Sequence, residues 1–317
     1  MKIGNVEIKG KYMLAPMAGV SDLPFRVLCH EYGAALTCTE MISAKALTYK
    51  NKKTAALMKL DENEHPVALQ LFGSEPDTMA EATRLIEQVP YDILDINMGC
   101  PMPKIVNNGD GSALLKNPKL AGEVIRAVAD ATQRPVTVKI RAGFDAESIN
   151  CIEIAKRAEE AGAKAITVHA RTTAQKYEGR ADWRHIADVK RAVSIPVIGN
   201  GDVEDIASAK RMFEETGCDL VAVARASRGR PWIFKELNEE KPYSPGRDEI
   251  IDIIRRHLSM EVENLGEFPA VREMRKHISW YTAGMPNSAA LRDKVNKAES
   301  KAALEGLLLD MVSLWGI

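Results

Sequence analysis

No stretch of this 317-residue chain approaches the roughly 18 consecutive apolar residues that a membrane-crossing helix needs. Its opening, Met1-Lys2-Ile3-Gly4-Asn5-Val6-Glu7, lacks the apolar core of a secretion signal, so a cytoplasmic protein with no membrane partner is expected. Cysteine is sparse: Cys29, Cys38, Cys100, Cys151 and Cys218 are odd in number, scattered, and form no C-x-x-C. That excludes a disulfide framework and the common zinc-ribbon and iron–sulfur runs, and no metal is expected. Net charge is nearly absent, with 43 Lys plus Arg against 44 Asp plus Glu, giving −1. Wrapping of nucleic acid through bulk charge is thereby excluded, and any such partner must be met by a local patch. There is no G-x-G-x-x-G opening the first strand–helix turn, no Walker A sequence and no repeat of solenoid spacing.

What the chain does have is a short apolar run, a polar or glycine-bearing loop and an amphipathic segment, many times over. The runs cover 12–18, 36–41, 67–72, 93–97, 136–141, 165–169, 196–200 and 220–224. Each is rich in Val, Ile, Leu or Ala, as strands buried on both faces should be. Helical segments are expected at 75–88, 120–132, 147–161 and 203–216, with Asp22, Ser74, Asn117 and Asp202 as N-caps and Gly162 and Gly217 as stops. Eight strands alternating with helices over about 240 residues predict an α/β fold, a (β/α)8 TIM barrel, rather than an open doubly wound sheet. After Lys241-Pro242-Tyr243-Ser244-Pro245-Gly246 the pattern turns purely helical, with Ile250, Ile251, Ile253, Ile254 and Leu258 near a 3.6 period. Further helices are expected at 271–281, 289–297 and 301–315, with breaks at Phe268-Pro269 and Met285-Pro286. The expected division is therefore a barrel over 1–240 and a small helical bundle over 245–317.

Chemistry in such a barrel sits at the C-terminal ends of the strands. Those ends offer Pro16-Met17-Ala18, Glu40, Gln70, Asn97, Lys139 with Arg141, His169 with Arg171, Asn200-Gly201-Asp202 and Ala224-Arg225. Polar groups on nearly every strand favour one shared pocket. The small residues closing strands seven and eight allow backbone N–H groups to approach a phosphate; they are equally what two tight turns require. Lys139 ends an otherwise buried strand, so its ammonium should meet an anion or a polar ligand edge, such as the N1–C2=O edge of a flavin, or else pair with Asp95 or Glu40. Cys100, in Asp95-Ile96-Asn97-Met98-Gly99-Cys100-Pro101, stands in a tight loop at the barrel mouth while the other four cysteines sit in apolar or helical stretches. It is either an incidental small residue or a proton donor; a thiol with an ordinary pKa near 8.5 is protonated at neutrality and needs no activating base.

Ala15-Pro16-Met17-Ala18-Gly19, Asp95–Pro101, Gly111-Ser112-Ala113-Leu114-Leu115, Val138-Lys139-Ile140-Arg141, His169-Ala170-Arg171-Thr172, Asn200-Gly201-Asp202 and Gly229-Arg230-Pro231-Trp232-Ile233-Phe234 occur in order, with Arg275-Lys276-His277-Ile278-Ser279-Trp280-Tyr281 in the bundle. On these motifs the sequence resembles the bacterial tRNA-dihydrouridine synthases, most closely the B-type branch, almost end to end. The resemblance implies FMN in a TIM barrel, held by Pro16, Met17, Ala18, Gln70, Lys139, His169, Asn200, Gly201, Asp202, Ala224 and Arg225. It implies NADPH as reductant, tRNA as partner, Cys100 as general acid, and reduction of a uridine C5=C6 bond with hydride to C6 and a proton to C5. Asn97, Arg141 and Arg171 are expected at the substrate, and Arg275 and Lys276 on the RNA backbone. A flavin barrel acting on a free pyrimidine and a non-catalytic RNA-binding protein are the alternatives. Departures from the family pattern are Ala224 where glycine is usual, Met102-Pro103 after the Gly-Cys-Pro turn, Ala142 where threonine is common, and the stretch 173–178.

Overall fold

A β-hairpin, β1 (Lys2–Ile3) and β2 (Val6–Glu7), precedes eight parallel strands. These are β3 (Tyr12–Leu14), β4 (Thr37–Ser43), β5 (Val67–Phe72), β6 (Ile93–Met98), β7 (Val136–Arg141), β8 (Ala165–His169), β9 (Val197–Asn200) and β10 (Leu220–Val223). The structure is a computed structural model that describes residues 1–314. Sheet order runs β3-β10-β9-β8-β7-β6-β5-β4, and a parallel bridge from Met13 to Leu36 joins the two ends. The sheet is therefore closed, which is the expected barrel, and all eight predicted strands are present.

Helices α1 (Leu23–Glu31), α2 (Ala44–Thr48), α3 (Lys52–Ala56), α4 (Pro76–Leu85), α5 (Pro103–Val106), α6 (Pro118–Asp130) and α7 (Cys151–Glu160) follow the first strands. Then come α8 (Arg184–Ala192), α9 (Ile206–Thr216) and α10 (Ile233–Glu239). Their inner faces pack residues such as Val124, Ile154, Ile186 and Met212 onto the outward-facing strand side chains. Inside the barrel's N-terminal end, the hairpin drives Ile3 and Ile8 against Met13, Leu36, Ile93 and Leu220. That end is a plug of apolar side chains.

Some boundaries differ from the sequence-based ones, each for a local reason. The first strand stops at Leu14, because Pro16 has no N–H to give a ladder and Met17 starts a turn whose carbonyl accepts from Val20 and Ser21 N–H. Ser74 does not cap α4; Glu75 occupies that position without a side-chain bond. Asp202 does not cap α9 either, since arginines occupy its carboxylate, and Asp205 and Ser208 form a capping box instead. The segment before α7 is a turn built on Asp145, which accepts from the Ser148 hydroxyl at 2.7 Å and from Glu147 N–H at 3.1 Å. Asp22 and Asn117 do cap their helices, and Gly217 ends α9 with φ +64°.

From Arg247 the chain is helical: α11 (Arg247–Leu265), α12 (Glu267–Tyr281), α13 (Ser288–Lys297) and α14 (Lys301–Leu314). The break expected at Phe268-Pro269 falls at Gly266, φ +84°, and Pro269 is accommodated in the first turn of α12, where its missing N–H has no intrahelical partner to lose. Trp315, the expected end of the last helix, lies outside the described residues. Ile250, Ile251, Ile254 and Leu258 of α11 meet Val271, Met274 and Ile278 of α12 and Leu304 and Leu308 of α14. Each such buried aliphatic contributes about 1.5–3 kcal/mol relative to exposure. Leu28 of α1 and Trp232 belong to the same cluster, so the helices are seated on the barrel wall. Contact is closest at Gly229, φ +64°, where a Cβ would lie 2.3 Å from the carbonyl carbon of Trp280.

Candidate active site

The C-terminal ends of the strands surround a cavity of about 600 Å³, within the size range of small-molecule and cofactor sites. On one side the floor is a chain of hydrogen bonds. Thr137 Oγ1 and Gln70 Nε2 donate to opposite oxygens of Asp95, at 2.6 and 2.7 Å, and Asn97 Nδ2 donates to Gln70 Oε1 at 2.8 Å. Asn97 Oδ1 in turn accepts from the backbone N–H groups of Gly99 and Cys100, at 3.1 and 3.0 Å. Asn97 thus lines the cavity, but its amide oxygen is used to shape the cysteine loop and its amide nitrogen to hold Gln70. Gln70 keeps one amide N–H and one oxygen lone pair free for a ligand.

The Cys100 loop is held from the other side as well. Ser112 donates to the Cys100 carbonyl through both its N–H and its hydroxyl, at 3.2 and 2.9 Å. Gly111, φ +59°, lies so close that a Cβ there would be 3.0 Å from that carbonyl oxygen and 3.2 Å from the Cys100 Cβ. Cys100 lines the cavity and is partly exposed, whereas the other four cysteines are buried. Burial pushes its thiol pKa up, so it keeps its proton at neutral pH.

Opposite, Lys139 Nζ donates to Asn200 Oδ1 at 3.1 Å, and Asn200 Nδ2 to the Ala222 carbonyl at 2.8 Å. Of the two ion-pair partners considered for Lys139, neither Asp95 nor Glu40 is bonded to it; Glu40 accepts from Gly19 N–H instead. Burial first, and the nearby Arg141 guanidinium second, lower the Lys139 pKa to about 8. His169 is held well below its usual range by burial and by Lys139, Arg141, Arg171 and Arg225, so its imidazole is neutral. Beside it Gly201 has φ +130°, and a Cβ there would be 2.8 Å from the Ala181 Cβ and 3.4 Å from His169 Cδ2. Only glycine fits this cradle.

Asp202 Oδ2 accepts from Arg171 Nη2 at 2.7 Å and from Ala181 N–H at 2.8 Å, and its Oδ1 accepts from Arg225 Nη2 at 3.0 Å. The carboxylate's charge is thereby compensated inside the protein. Lys139, Arg141, Arg225 and Arg228 leave the cavity wall favouring an anion. Pro16, Met17, Ala18 and Ala224 complete the wall, so every residue expected at the cofactor stands around this one cavity.

The residues expected at the substrate are more dispersed. Arg141 reaches the cavity but donates to the carbonyls of Gly99, Thr172 and Lys176 at 2.7–2.8 Å, tying together the loops after β6 and β8. Arg171 lies behind Asp202 and faces a neighbouring hollow, not this cavity. Arg275 donates to the Ala298 carbonyl at 2.6 Å, inside the helical bundle. Lys276 pairs with Glu273 and lies 3.6 Å from where a Gly19 Cβ would stand, placing a cation at the barrel rim. Met41, Tyr177 and Glu204 also line the cavity and went unnoticed as site residues in the sequence; Arg228, which the sequence offers as a cation for an RNA backbone, lines it too. Tyr177, half exposed, has the guanidinium carbons of Arg141 and Arg225 each 5.7 Å from its ring centroid. No local pattern marks it. Glu204, two positions beyond Asp202, could have been found by extending the strand-seven motif.

Residues 13–313 match the family described as dihydrouridine synthase (Dus). A probable tRNA-dihydrouridine synthase of Rickettsia bellii is 39% identical over 317 residues, covering 98% of this chain and 97% of its own. The tRNA-dihydrouridine synthase B of Pseudomonas aeruginosa is 38% identical, with 96% of this chain and 93% of that protein covered. That of Vibrio vulnificus is 39% identical, with 100% and 98% covered. Among solved structures, a histamine dehydrogenase from Rhizobium sp. 4-9 superposes with a TM-score of 0.60 at 14% identity, covering 82% of this chain and 50% of that one; the likeness is one of fold. With the family profile spanning nearly the whole chain and relatives this similar over their full lengths, the chain belongs to the dihydrouridine synthase family.

Proposed function

We propose that this chain reduces uridine to dihydrouridine in tRNA within the cavity at the C-terminal ends of its strands, with FMN as resident cofactor and NADPH as the reductant. The observation that carries this is the convergence on one cavity of a proton-bearing thiol, a buried lysine bonded only to an amide oxygen, and a glycine cradle. The residues fit the cofactor. Lys139 and the free amide N–H of Gln70 are suited to a carbonyl-bearing ring edge. The Gly201 turn, where a Cβ would be obstructed, lets the backbone approach a phosphate, and Ala224 and Arg225 border the same place. When bound, FMN supplies the hydride that reduces the C5=C6 bond at C6.

The chain's own residues do the rest. Lys139 would hold a ring edge that takes up negative charge, and burial would make that charge-assisted bond stronger than it is in water. His169 stays neutral and donates without adding to the crowd of cations. Asp202 fixes Arg225 where it would meet a phosphate, and Arg171 fixes Asp202 from behind. Cys100 delivers its proton to C5; Asn97 and Ser112 hold its backbone so that the thiol faces the cavity without rearrangement. A base stacked in RNA cannot reach such a depth, so the target uridine is flipped out of its stack, at a cost of a few kcal/mol.

The barrel, residues 1–240, carries this chemistry, and residues 245–317 help to seat the RNA. Lys276 at the rim and Arg228, its guanidinium carbon 5.3 Å from the ring centroid of Trp280, are cations where the two parts meet. Arg141 and Arg275 act through the loops and helices they brace.

The test is purification, measurement of flavin absorbance, and incubation with NADPH and tRNA lacking dihydrouridine. Released FMN and NADPH-dependent dihydrouridine in the tRNA are expected. Turnover on free uridine or orotate but not on tRNA, or a protein that neither carries nor takes up flavin, would overturn the proposal.

A further inference from the structure

A second polar cluster lies away from the cavity, where α1 of the barrel meets α11 and α12. Asp22 caps α1, its Oδ1 accepting from Phe25 N–H at 2.9 Å. Two imidazoles from the C-terminal helices face the same carboxylate: His277 Nε2 lies 3.3 Å from Oδ2, and His257 Nε2 3.8 Å from Oδ1. Both histidines are 0% exposed. The three ligand atoms fall within 4.8 Å of one another.

Buried polar atoms in folded proteins are almost always hydrogen-bonded, so an orphan needs a cause. Here His277 Nδ1 has no partner, and the Nε2 atoms of His257 and His277 have only the Asp22 carboxylate, in geometry too poor for a full hydrogen bond; Glu261, one turn along α11 from His257 and 1% exposed, has only Asn264 as a side-chain partner. The nearest lysine in sequence, Lys276, is paired with Glu273. What the cluster lacks is a cation.

We propose that Asp22, His257 and His277 bind a divalent transition-metal ion of the zinc class, which fastens the first helix of the barrel to the C-terminal helices. The donor set of two imidazoles and one carboxylate suits such an ion; calcium and magnesium would want an all-oxygen shell. In a tetrahedral shell with bonds of 2.0–2.1 Å, neighbouring ligand atoms stand about 3.4 Å apart; His277 Nε2 is already 3.3 Å from one Asp22 oxygen, and His257 Nε2, 3.8 Å from the other oxygen, closes on the ion by a small shift of its side chain. His257 has the supporting bond that metal-bound histidines usually have: its Nδ1 is 3.1 Å from the Tyr281 hydroxyl, which leaves Nε2 to turn toward Asp22. Both imidazoles are buried and none of the three residues lines the cavity, so the role of the ion is to hold the helices together.

The test uses the full-length protein, produced with zinc in the medium, dialysed, and analysed for bound metal. About one equivalent of zinc is expected in the parent and in Cys100→Ala, and less than a tenth of that in His277→Ala. Because that variant could fail to fold, Tyr281→Phe provides a second arm: it keeps the packing but removes the supporting bond, and should weaken zinc binding by about 10-fold or more. Cobalt substituted into the metal-stripped parent should give the visible bands of a tetrahedral nitrogen–oxygen site. A parent that holds no metal after loading and dialysis, or a zinc content unchanged in both His277→Ala and Tyr281→Phe, would overturn the proposal.

Discussion

At the N-terminal end of the barrel, Ile3 and Ile8 of the hairpin close over Met13, Leu36, Ile93 and Leu220 in a cluster that is apolar but for the small, buried thiol of Cys38. At the other end of the same strands, Gln70, Lys139, His169 and Asn200 stand around an open cavity, and the pKa values of Lys139 and His169 are lowered by burial and by neighbouring cations. The strand interiors between the two ends are alike, so the backbone does not decide which end works. The difference comes from what the last residue or two of each strand carries, and from a two-stranded cap that covers only one end. Apolar closure supplies stability; at the far end, stability is given up for groups that keep bonding capacity in reserve.

Substitutions at the two ends should therefore separate activity from stability, and the largest effect is expected at the open end. Cys100→Ala should lower dihydrouridine formation about 100- to 10,000-fold, the range of a lost general acid, with bound flavin unchanged; quantifying dihydrouridine in tRNA beside the flavin spectrum checks both. At the closed end the reverse should hold. Ile8→Ala should cost about 2–5 kcal/mol of stability in urea denaturation, while turnover per folded, flavin-bearing molecule stays at the parent's level. A fall in that turnover would break the contrast.

Smaller effects sharpen the picture of the open end. With its pKa lowered to about 8, Lys139 in the ligand-free protein is charged at pH 7 and loses that charge as the pH rises through 8. FMN affinity measured by fluorescence quenching should accordingly fall on going from pH 7 to 9. Lys139→Met should bind FMN about 10-fold more weakly at pH 7, the weight of one charge-assisted hydrogen bond, and should lose the lysine's share of the pH dependence. The smallest change is expected at the rim: Lys276→Gln should weaken tRNA binding uniformly across tRNA species and reduce the salt dependence by about one counterion, with FMN content unaltered. Arg275 is the poorer place to test RNA contact, since its guanidinium holds the Ala298 carbonyl and its loss would loosen the bundle.

The barrel was legible because a parallel strand buried on both faces leaves an unmistakable apolar run, and because eight such runs alternate with helices. Val67–Phe72, Val136–Arg141 and Ala165–His169 fall where the runs predict them. Helix starts were less legible, because several polar residues stand in line at each one and tertiary demands choose among them. Asp202 has the chemistry of a cap, but Arg171 and Arg225 engage it first. The polar strand ends could be gathered into one cavity from the barrel geometry alone. The roles of Asn97 and Arg141 as braces could not, since they depend on partners such as Gly99 and Lys176 that only folding brings near. The same holds more strongly for Asp22, His257 and His277, ligand-type residues separated by most of the chain and so invisible to any spacing rule.

The seam at Gly229 has a practical corollary for anyone who would exchange C-terminal helices between relatives. With Trp280 backbone where a side chain at 229 would have to go, the junction tolerates neither a bulkier residue nor a helix offset by a fraction of an ångström. A transplanted tail would have to travel with its own copy of the loop between β10 and α10, and a chimera joined at the Lys241–Gly246 linker alone would meet a steric mismatch at Gly229, upstream of the splice.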